Sequence, residues 1–501
     1  MAPEIGTGTG TETETRTEPE TTHILVIPYP AQGHMIPLLD LTHHLLSTRR
    51  LTITIVTTPM NLPLLSPLLT LFPSNITPLV LPFPSAPGIP AGKENTKDLP
   101  PASFRQIIPA LARLRDPLGH WFESHPSPPF AIISDMFLGW THRFAVDMKV
   151  KRVVFSPSGG MALSVIYSLW KNMPKGGDQN GDVLFEDVPN CPKYPWWQLS
   201  PVYRSYVEGD PDSELIKDGF WDNMASWGVL VNSFDGLERV YLDHLRGSMD
   251  YDDRVWDVGP LVPATGYNDR GGASSIEVDK MLAWLDTCRD NEVVYVSFGT
   301  QAILTSQQIE AIAEGLERSG VRFIWPIRDH VTANQMEGDR DRETVMTGFE
   351  DRMTGRGIVI RGWAPQVLIL RHRAVGTFLT HCGWNSILEG IMASVMLLAW
   401  PFGADQFSNA TLLVDYLKVS VRVCEGSNTV PNPCDLAQIL ANSANQDEAS
   451  RQKIIKLQSN ALEALSETGS SSKALSRFVN KLCELKTRPK SHIISHNNLV
   501  E

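Results

Sequence analysis

The chain has 501 residues, with 44 Lys plus Arg against 56 Asp plus Glu, a formal net charge of −12 and 42% hydrophobic residues. That length exceeds one ordinary core and suits two domains. The negative balance argues against a nucleic-acid or anionic-membrane surface, both of which attract basic patches. No run of about 18 apolar residues is present to span a bilayer. The six cysteines are scattered, with no pair at metal-ligand spacing, which fits reduced thiols in a cytoplasmic protein.

Residues 1–22, MAPEIGTGTGTETETRTEPETT, repeat Thr-Glu and have almost no bulky apolar side chains. Such a segment cannot offset the entropy of ordering and is expected to stay disordered; it also lacks the basic start and apolar middle of a signal peptide. Order is expected from His23. Ile24–Ile27 reads as a short buried strand, followed by Pro28-Tyr-Pro-Ala-Gln-Gly-His-Met-Ile-Pro and the helical run LLDLTHHLL. This puts His34 at the carboxyl end of a strand, where open α/β sheets bind ligands. His43 and His44 fall in the helix and are expected to be solvated.

Further strands are expected at Leu51–Val56, Leu79–Pro82, Phe130–Ser134, Val153–Ser156 and Val229–Asn232, with helices such as Phe104–Phe122 and Leu237–Leu245 between them. Alternating strands and helices imply a parallel sheet with right-handed crossovers. Asp135 follows one of these strands and so shares a sheet edge with His34. Residues 171–228 are irregular and rich in Trp, Pro and Asp. Trp196 and Trp197 there either line a pocket for a flat acceptor or bury a helix hairpin.

Residues 262–275 have linker composition. A second alternating unit follows, with strands expected at Val293–Phe298, Phe323–Pro326, Ile358–Ile360, Val375–Leu379, Met396–Trp400 and Val421–Cys424. Helical patterns from Asp435 to Leu485 then lead into a polar tail. The organisation read from the chain is a first domain over 23–261, a linker over 262–275, a second domain over 276–465, a C-terminal helix over 466–485 and a tail over 486–501.

The chemistry concentrates between Trp363 and Gln406. The Trp363 indole offers a face for a flat base, a contact worth about 1–3 kcal/mol, with Ala364 and Gln366 beside the base edge; alone, Trp363 would read as a loop anchor before Pro365. The turn His381-Cys-Gly-Trp-Asn-Ser leads from a strand into a helix, and the free N–H groups of a helix start form an anion site. His381, Asn385 and Ser386 add donors there, and Ser297, Gly299 and Thr300 lie at the equivalent end of another strand. Ser386 and Glu389 also have the spacing of a capping box. Asp405 and Gln406 put a carboxylate beside an amide, suited to adjacent sugar hydroxyls, and Trp384 could touch the ring. The bland reading of Asp405 is an acid favoured by a helix dipole, worth about 0.3–1 kcal/mol. An imidazole, with its ordinary pKa of about 6.5, makes His34 a candidate base for a hydroxyl, and Asp135 could hold it in one tautomer. The transfer would then be a single displacement that inverts the sugar carbon.

The run from Trp363 to Gln406 closely resembles the signature box of the plant UDP-dependent glycosyltransferases, and Pro-Ala-Gln-Gly-His-Met-Ile-Pro resembles their N-terminal motif. Cys191-Pro-Lys-Tyr-Pro-Trp-Trp and Val421-Arg-Val-Cys-Glu-Gly resemble the family-89 branch, which includes flavonoid and phenolic-acid glycosyltransferases. The resemblance implies an α/β fold of two facing doubly wound Rossmann-like domains (GT-B architecture), with the last helix returning to the first domain. It implies a monomeric enzyme that moves glucose from UDP-glucose to a phenolic acceptor, with the ribose hydroxyls on Glu389 and Gln406 favouring glucose. On the acceptor side it implies His34, Trp196, Trp197 and Ala404. No metal or other cofactor is expected, because helix dipoles and neutral donors stand where other transferases place an ion on an Asp-x-Asp motif. UDP-rhamnose or UDP-xylose as donor, or a phenolic acid as acceptor, are alternatives on the same scaffold. A catalytically silent binder of nucleotide-sugar or phenolics would have no need of His34 and Asp135 beside a nearly complete box. The box departs from the family pattern of Gly-Val-Pro at Ser394-Val-Met396. If residue 394 needs a positive φ, serine there costs on the order of 1 kcal/mol.

Overall fold

The computed structural model describes residues 21–100, 103–175, 181–248, 251, 253–263, 270–327, 346–444 and 448–487. Nearly all of the expected N-terminal tail, most of the polar tail from 488 on and positions 264–269 of the expected linker lie outside these residues; Thr22, assigned to the tail, already stands in the first strand.

The described strands are β1 (Thr22–Ile27), β2 (Leu51–Thr57), β3 (Ile76–Val80), β4 (Ala131–Asp135), β5 (Lys151–Ser156), β6 (Asp182–Leu184), β7 (Lys193–Pro195), β8 (Gly228–Val231), β9 (Val255–Asp257), β10 (Val293–Ser297), β11 (Arg322–Ile327), β12 (Gly357–Arg361), β13 (Val375–Thr380), β14 (Met396–Ala399) and β15 (Ser420–Arg422). They form a seven-stranded sheet in the order β3-β2-β1-β4-β5-β8-β9, a six-stranded sheet in the order β12-β11-β10-β13-β14-β15, and the small hairpin β6-β7. Every pairing in the two large sheets is parallel. The inner strands read as unbroken apolar runs because helices cover both faces of each sheet. Ile24, Leu25, Val26, Ile132 and Ile133 are fully buried in the first sheet, as are Val296, Phe378 and Leu379 in the second. Each such side chain contributes roughly 1.5–3 kcal/mol.

In both sheets the chain builds outward on one side and then returns to continue on the other. The reversal falls between β1 and β4 in the first sheet and between β10 and β13 in the second. Two strand ends diverge at each reversal, and the crevice left between them is where doubly wound sheets take ligands. Register sets Ile27 beside Ser134 and Ser297 beside Thr380, so the loops carrying His34 and Asp135, and those carrying Gly299 and His381, emerge side by side.

Four expectations need correction. The helix expected over Phe104–Phe122 is two, Phe104–Ala112 and Arg115–Ser124; Pro117 cannot donate to Arg113 and its ring crowds that carbonyl. The strand expected at Leu79–Pro82 begins earlier, at Ile76, because pairing with Ile53 fixes it, and Pro78 is tolerated on this edge strand. A further strand, β9, extends the first sheet. His43 and His44 are half-buried, and burial pushes both imidazoles below the ordinary value. The last helix, Ser470–Thr487, packs on the first sheet, with Phe478 edge-on to Trp256 at 4.9 Å.

Candidate active site

The two reversals face one cleft of about 630 Å³, open to solvent. His34 enters it from the first turn of the helix Gln32–Ser47, which follows β1. Its Nδ1 donates to Asp135 Oδ2 at 2.9 Å, a bond that fixes the tautomer and leaves the Nε2 lone pair for another partner. Asp135 is fully buried behind it, its other oxygen accepting from the Phe137 N–H at 2.9 Å. Phe137 stacks on the imidazole at 4.7 Å and Tyr29 meets it edge-on at 5.2 Å, so the ring is clamped on its sides. The carboxylate's own segment is held from below by the buried Arg152. That guanidinium bonds Ser134 Oγ at 2.9 Å and the carbonyls of Asp135 and Leu138 at 3.3 and 3.4 Å.

On the opposite wall, the turn after β13 delivers His381 and the helix Trp384–Met392. Burial pushes the His381 imidazole down to about 4, so at neutral pH it is an uncharged ring beside the helix start. Gly299 has φ +75 and lies so near this ring that an added Cβ would come within 2.6 Å of Nε2. Only glycine lets the Ser297–Thr300 loop approach closely. The expected capping box is absent: Gly383 is the N-cap, and Ser386 Oγ and Glu389 Oε2 instead accept from Gln366 Nε2 at 3.0 and 2.7 Å. Gln366 thus turns its side chain toward Glu389, and its Oε1 accepts from the Tyr295 hydroxyl at 3.3 Å.

Asp405 makes no capping bond; Oδ2 accepts from Ser158 Oγ of the first domain at 2.8 Å. Gln406 Oε1 accepts from the N–H groups of Phe402 and Gly403 at 2.9 and 3.1 Å, which orients the amide and presents its –NH2 outward. Ala404, at φ +54, is exposed at the rim. Trp363 is bound to Ser275 by two bonds of 2.8 Å, and the Gly271–Gly272 backbone lies against its indole.

The cleft therefore gathers His34, Ser297, Gly299, Thr300, Trp363, Ala364, Gln366, His381, Trp384, Asn385, Ser386, Glu389, Ala404, Asp405 and Gln406, with Asp135 directly behind His34. Trp384 offers little ring to it: the indole is buried and its N–H donates to the Asn232 carbonyl at 2.6 Å. Asn385 Nδ2 donates to the Gly33 carbonyl at 3.0 Å, an acceptor left over because Pro37 of the same helix has no N–H to give it.

Of the two readings of Trp196 and Trp197, acceptor wall or packing, the structure shows packing contacts, and neither residue is among those that line this cleft. Trp196 packs edge-on to Tyr203 at 5.9 Å, and Trp197 meets Phe407 at 5.2 Å from outside. Cleft residues that sequence reasoning missed include Gln32, Ser158 and Arg270. Arg270 carries the clearest overlooked signal, an arginine followed by Gly271-Gly272 inside a supposed linker.

A family model for UDP-glucoronosyl and UDP-glucosyl transferase matches residues 274–429. The chain is 53% identical over 466 residues to UDP-glycosyltransferase 89B2 of Stevia rebaudiana, covering 92% of this chain and 98% of that relative. It is 52% identical over 472 residues to flavonol 3-O-glucosyltransferase UGT89B1 of Arabidopsis thaliana, covering 93% and 97%. The chain belongs to the UDP-glycosyltransferase family. Among solved structures, Arabidopsis thaliana UGT89C1 complexed with UDP-L-rhamnose superposes with a TM-score of 0.77 at 39% identity, over 93% of this UDP-glycosyltransferase and all of that chain. The fold of this UDP-glycosyltransferase is accordingly GT-B, with two Rossmann-like parallel sheets. Among its described residues no helix is long and apolar enough to cross a membrane.

Proposed function

We propose that this enzyme transfers glucose from UDP-glucose to a hydroxyl of a flavonoid or related phenolic, inverting the anomeric carbon. The observation that carries the reading is that the Asp135-tethered His34 and the Asp405–Gln406 pair line one cleft from opposite domains. In this reading His34 Nε2 takes the acceptor proton as the oxygen attacks, and Asp135 stabilises the imidazolium. The helix start at Trp384 and the loop Ser297–Thr300 receive the diphosphate, Glu389 takes the ribose, and Asp405 with the Gln406 amide orients the hexose. These donors supply what a divalent ion would otherwise provide, so turnover is expected to persist in excess chelator.

The flavonol 3-O-glucosyltransferase at 52% identity supports both the donor and the acceptor class. A second reading, with UDP-rhamnose as donor, is favoured by the 39% identical relative solved with UDP-L-rhamnose. Product mass after incubation with a flavonol and each donor separates them: a hexose adduct supports the first reading, and deoxyhexose adducts alone support the second. His34→Ala is expected to abolish transfer while leaving UDP affinity nearly intact. Undiminished turnover in that variant overturns the mechanism.

A further inference from the structure

Arg270 is a buried cation between two carboxylates from different domains. Its side chain is 11% exposed, and those of its partners Asp40 and Glu389 are 17% and 4% exposed. Nη2 lies 2.6 Å from Asp40 Oδ2, Nε bonds the same oxygen at 3.2 Å, and Nη1 pairs with Glu389 Oε1. Burial opposes the guanidinium's charge, but the two carboxylates outweigh it and hold the group protonated. Asp40 belongs to the helix Gln32–Ser47, whose first turn carries His34.

The consequence lies in how Glu389 is filled. An ionised carboxylate offers about four lone-pair sites. Arg270 takes one on Oε1 and Gln366 takes one on Oε2, which leaves one on each oxygen, the arrangement a vicinal diol needs. Without a cation, a carboxylate this buried loses its charge partner and fixed orientation, and burying it becomes costly.

We propose that Arg270 is a positioning residue for donor recognition: it holds the Glu389 carboxylate in one orientation, so that its two remaining acceptor sites receive the ribose hydroxyls of the nucleotide. Through Asp40 it also ties that site to the helix bearing His34. The inference rests on the assignment of Glu389 to the ribose made above.

Calorimetric binding of UDP and of 2′-deoxy-UDP to the full-length enzyme and its variants tests both levels separately. The wild type is expected to bind UDP about tenfold more tightly than the deoxy analogue, the worth of one hydrogen bond to a charged group. In Arg270→Met that ratio is expected to fall towards one while UDP itself binds at least about tenfold more weakly. Arg270→Lys keeps the charge without the fork geometry and should restore part of the ratio; it also serves if the methionine variant does not fold. Equal binding of both nucleotides by the wild type overturns the ribose assignment. A wild-type preference that survives unchanged in the methionine variant, or in the lysine variant with UDP affinity also unchanged, overturns the role of Arg270 alone. Tighter UDP binding by Arg270→Met also overturns it, because the guanidinium would then be occupying the ribose's place.

Discussion

Serine 394 has φ +57 immediately after the helix Trp384–Met392 and its cap Ala393. The N–H of Ser394 bonds the Ile391 carbonyl and that of Val395 bonds the Gly390 carbonyl, the reciprocal pair of a Schellman ending, which favours glycine at this position. Ser394→Gly should relieve about 1 kcal/mol of left-handed strain, partly offset by glycine's greater freedom when unfolded. A melting temperature raised by on the order of a degree with unchanged kcat is the expected result. A large rise in turnover with no thermal shift would contradict it. That position was legible in the sequence because the departure from the family box is local and its cost depends on a single dihedral. Trp196 and Trp197 were not legible, since an aromatic pair in an irregular segment has no periodicity to say which way it faces. Arg270 was missed for the opposite reason: Gly and Asp neighbours give it linker composition, while its partners Asp40 and Glu389 are remote in the chain.

The turn that follows β4 is short, yet the strand's last residue, Asp135, is a fully buried carboxylate that must be held against an imidazole. Arg152, at the start of β5, does this from the neighbouring strand. Its Nη1 also bonds Asn223 Oδ1 at 2.7 Å, and Asn223 in turn donates to the Met136 carbonyl at 2.7 Å. Burial lowers the guanidinium to about 10, which still leaves it charged at neutral pH. Arg152→Met strips partners from several buried acceptors at once and should cost on the order of 3 kcal/mol, seen as an earlier urea midpoint. It should also lower kcat while donor KM stays near that of the wild type; a donor KM effect with kcat preserved would refute the link to Asp135. At this scale the strands were legible as apolar runs, and misreadings arose where local pattern yields to a neighbour. Pro117 splits one helix through a carbonyl four residues back, β2 sets where β3 starts, and the three-residue β9 is too short to show a pattern.

The alternation of strands and helices carried the two-sheet plan, because a parallel sheet needs a crossover after each strand. How the halves are fastened was not in that pattern. The helix Glu448–Leu465 touches both Asp235–Ser248 of the first domain and Trp384–Met392 of the second, and Ser470–Thr487 then covers the first sheet. Phe478→Ala removes a fully buried ring from that seam and should cost about 3–5 kcal/mol, read as lost thermal stability. Acid should weaken the molecule as a whole. His142 and His381 are both pushed down to about 4, chiefly by burial, so between that value and the ordinary 6.5 the unfolded chain binds more protons, and stability falls as pH drops through the window. Asp257, pushed up to about 6 by burial, acts in the opposite sense between its ordinary value and 6. A melting-temperature series from pH 7 to 4.5 should decline, and less steeply in His142→Gln; an identical slope in that variant would exclude the histidine as a source. The chain passes from one half to the other twice, once between Asp257 and Val278 and once through the terminal helices. With two crossings, the half that carries His34 and the half that carries Gln406 are tied together both before and after the second sheet is built.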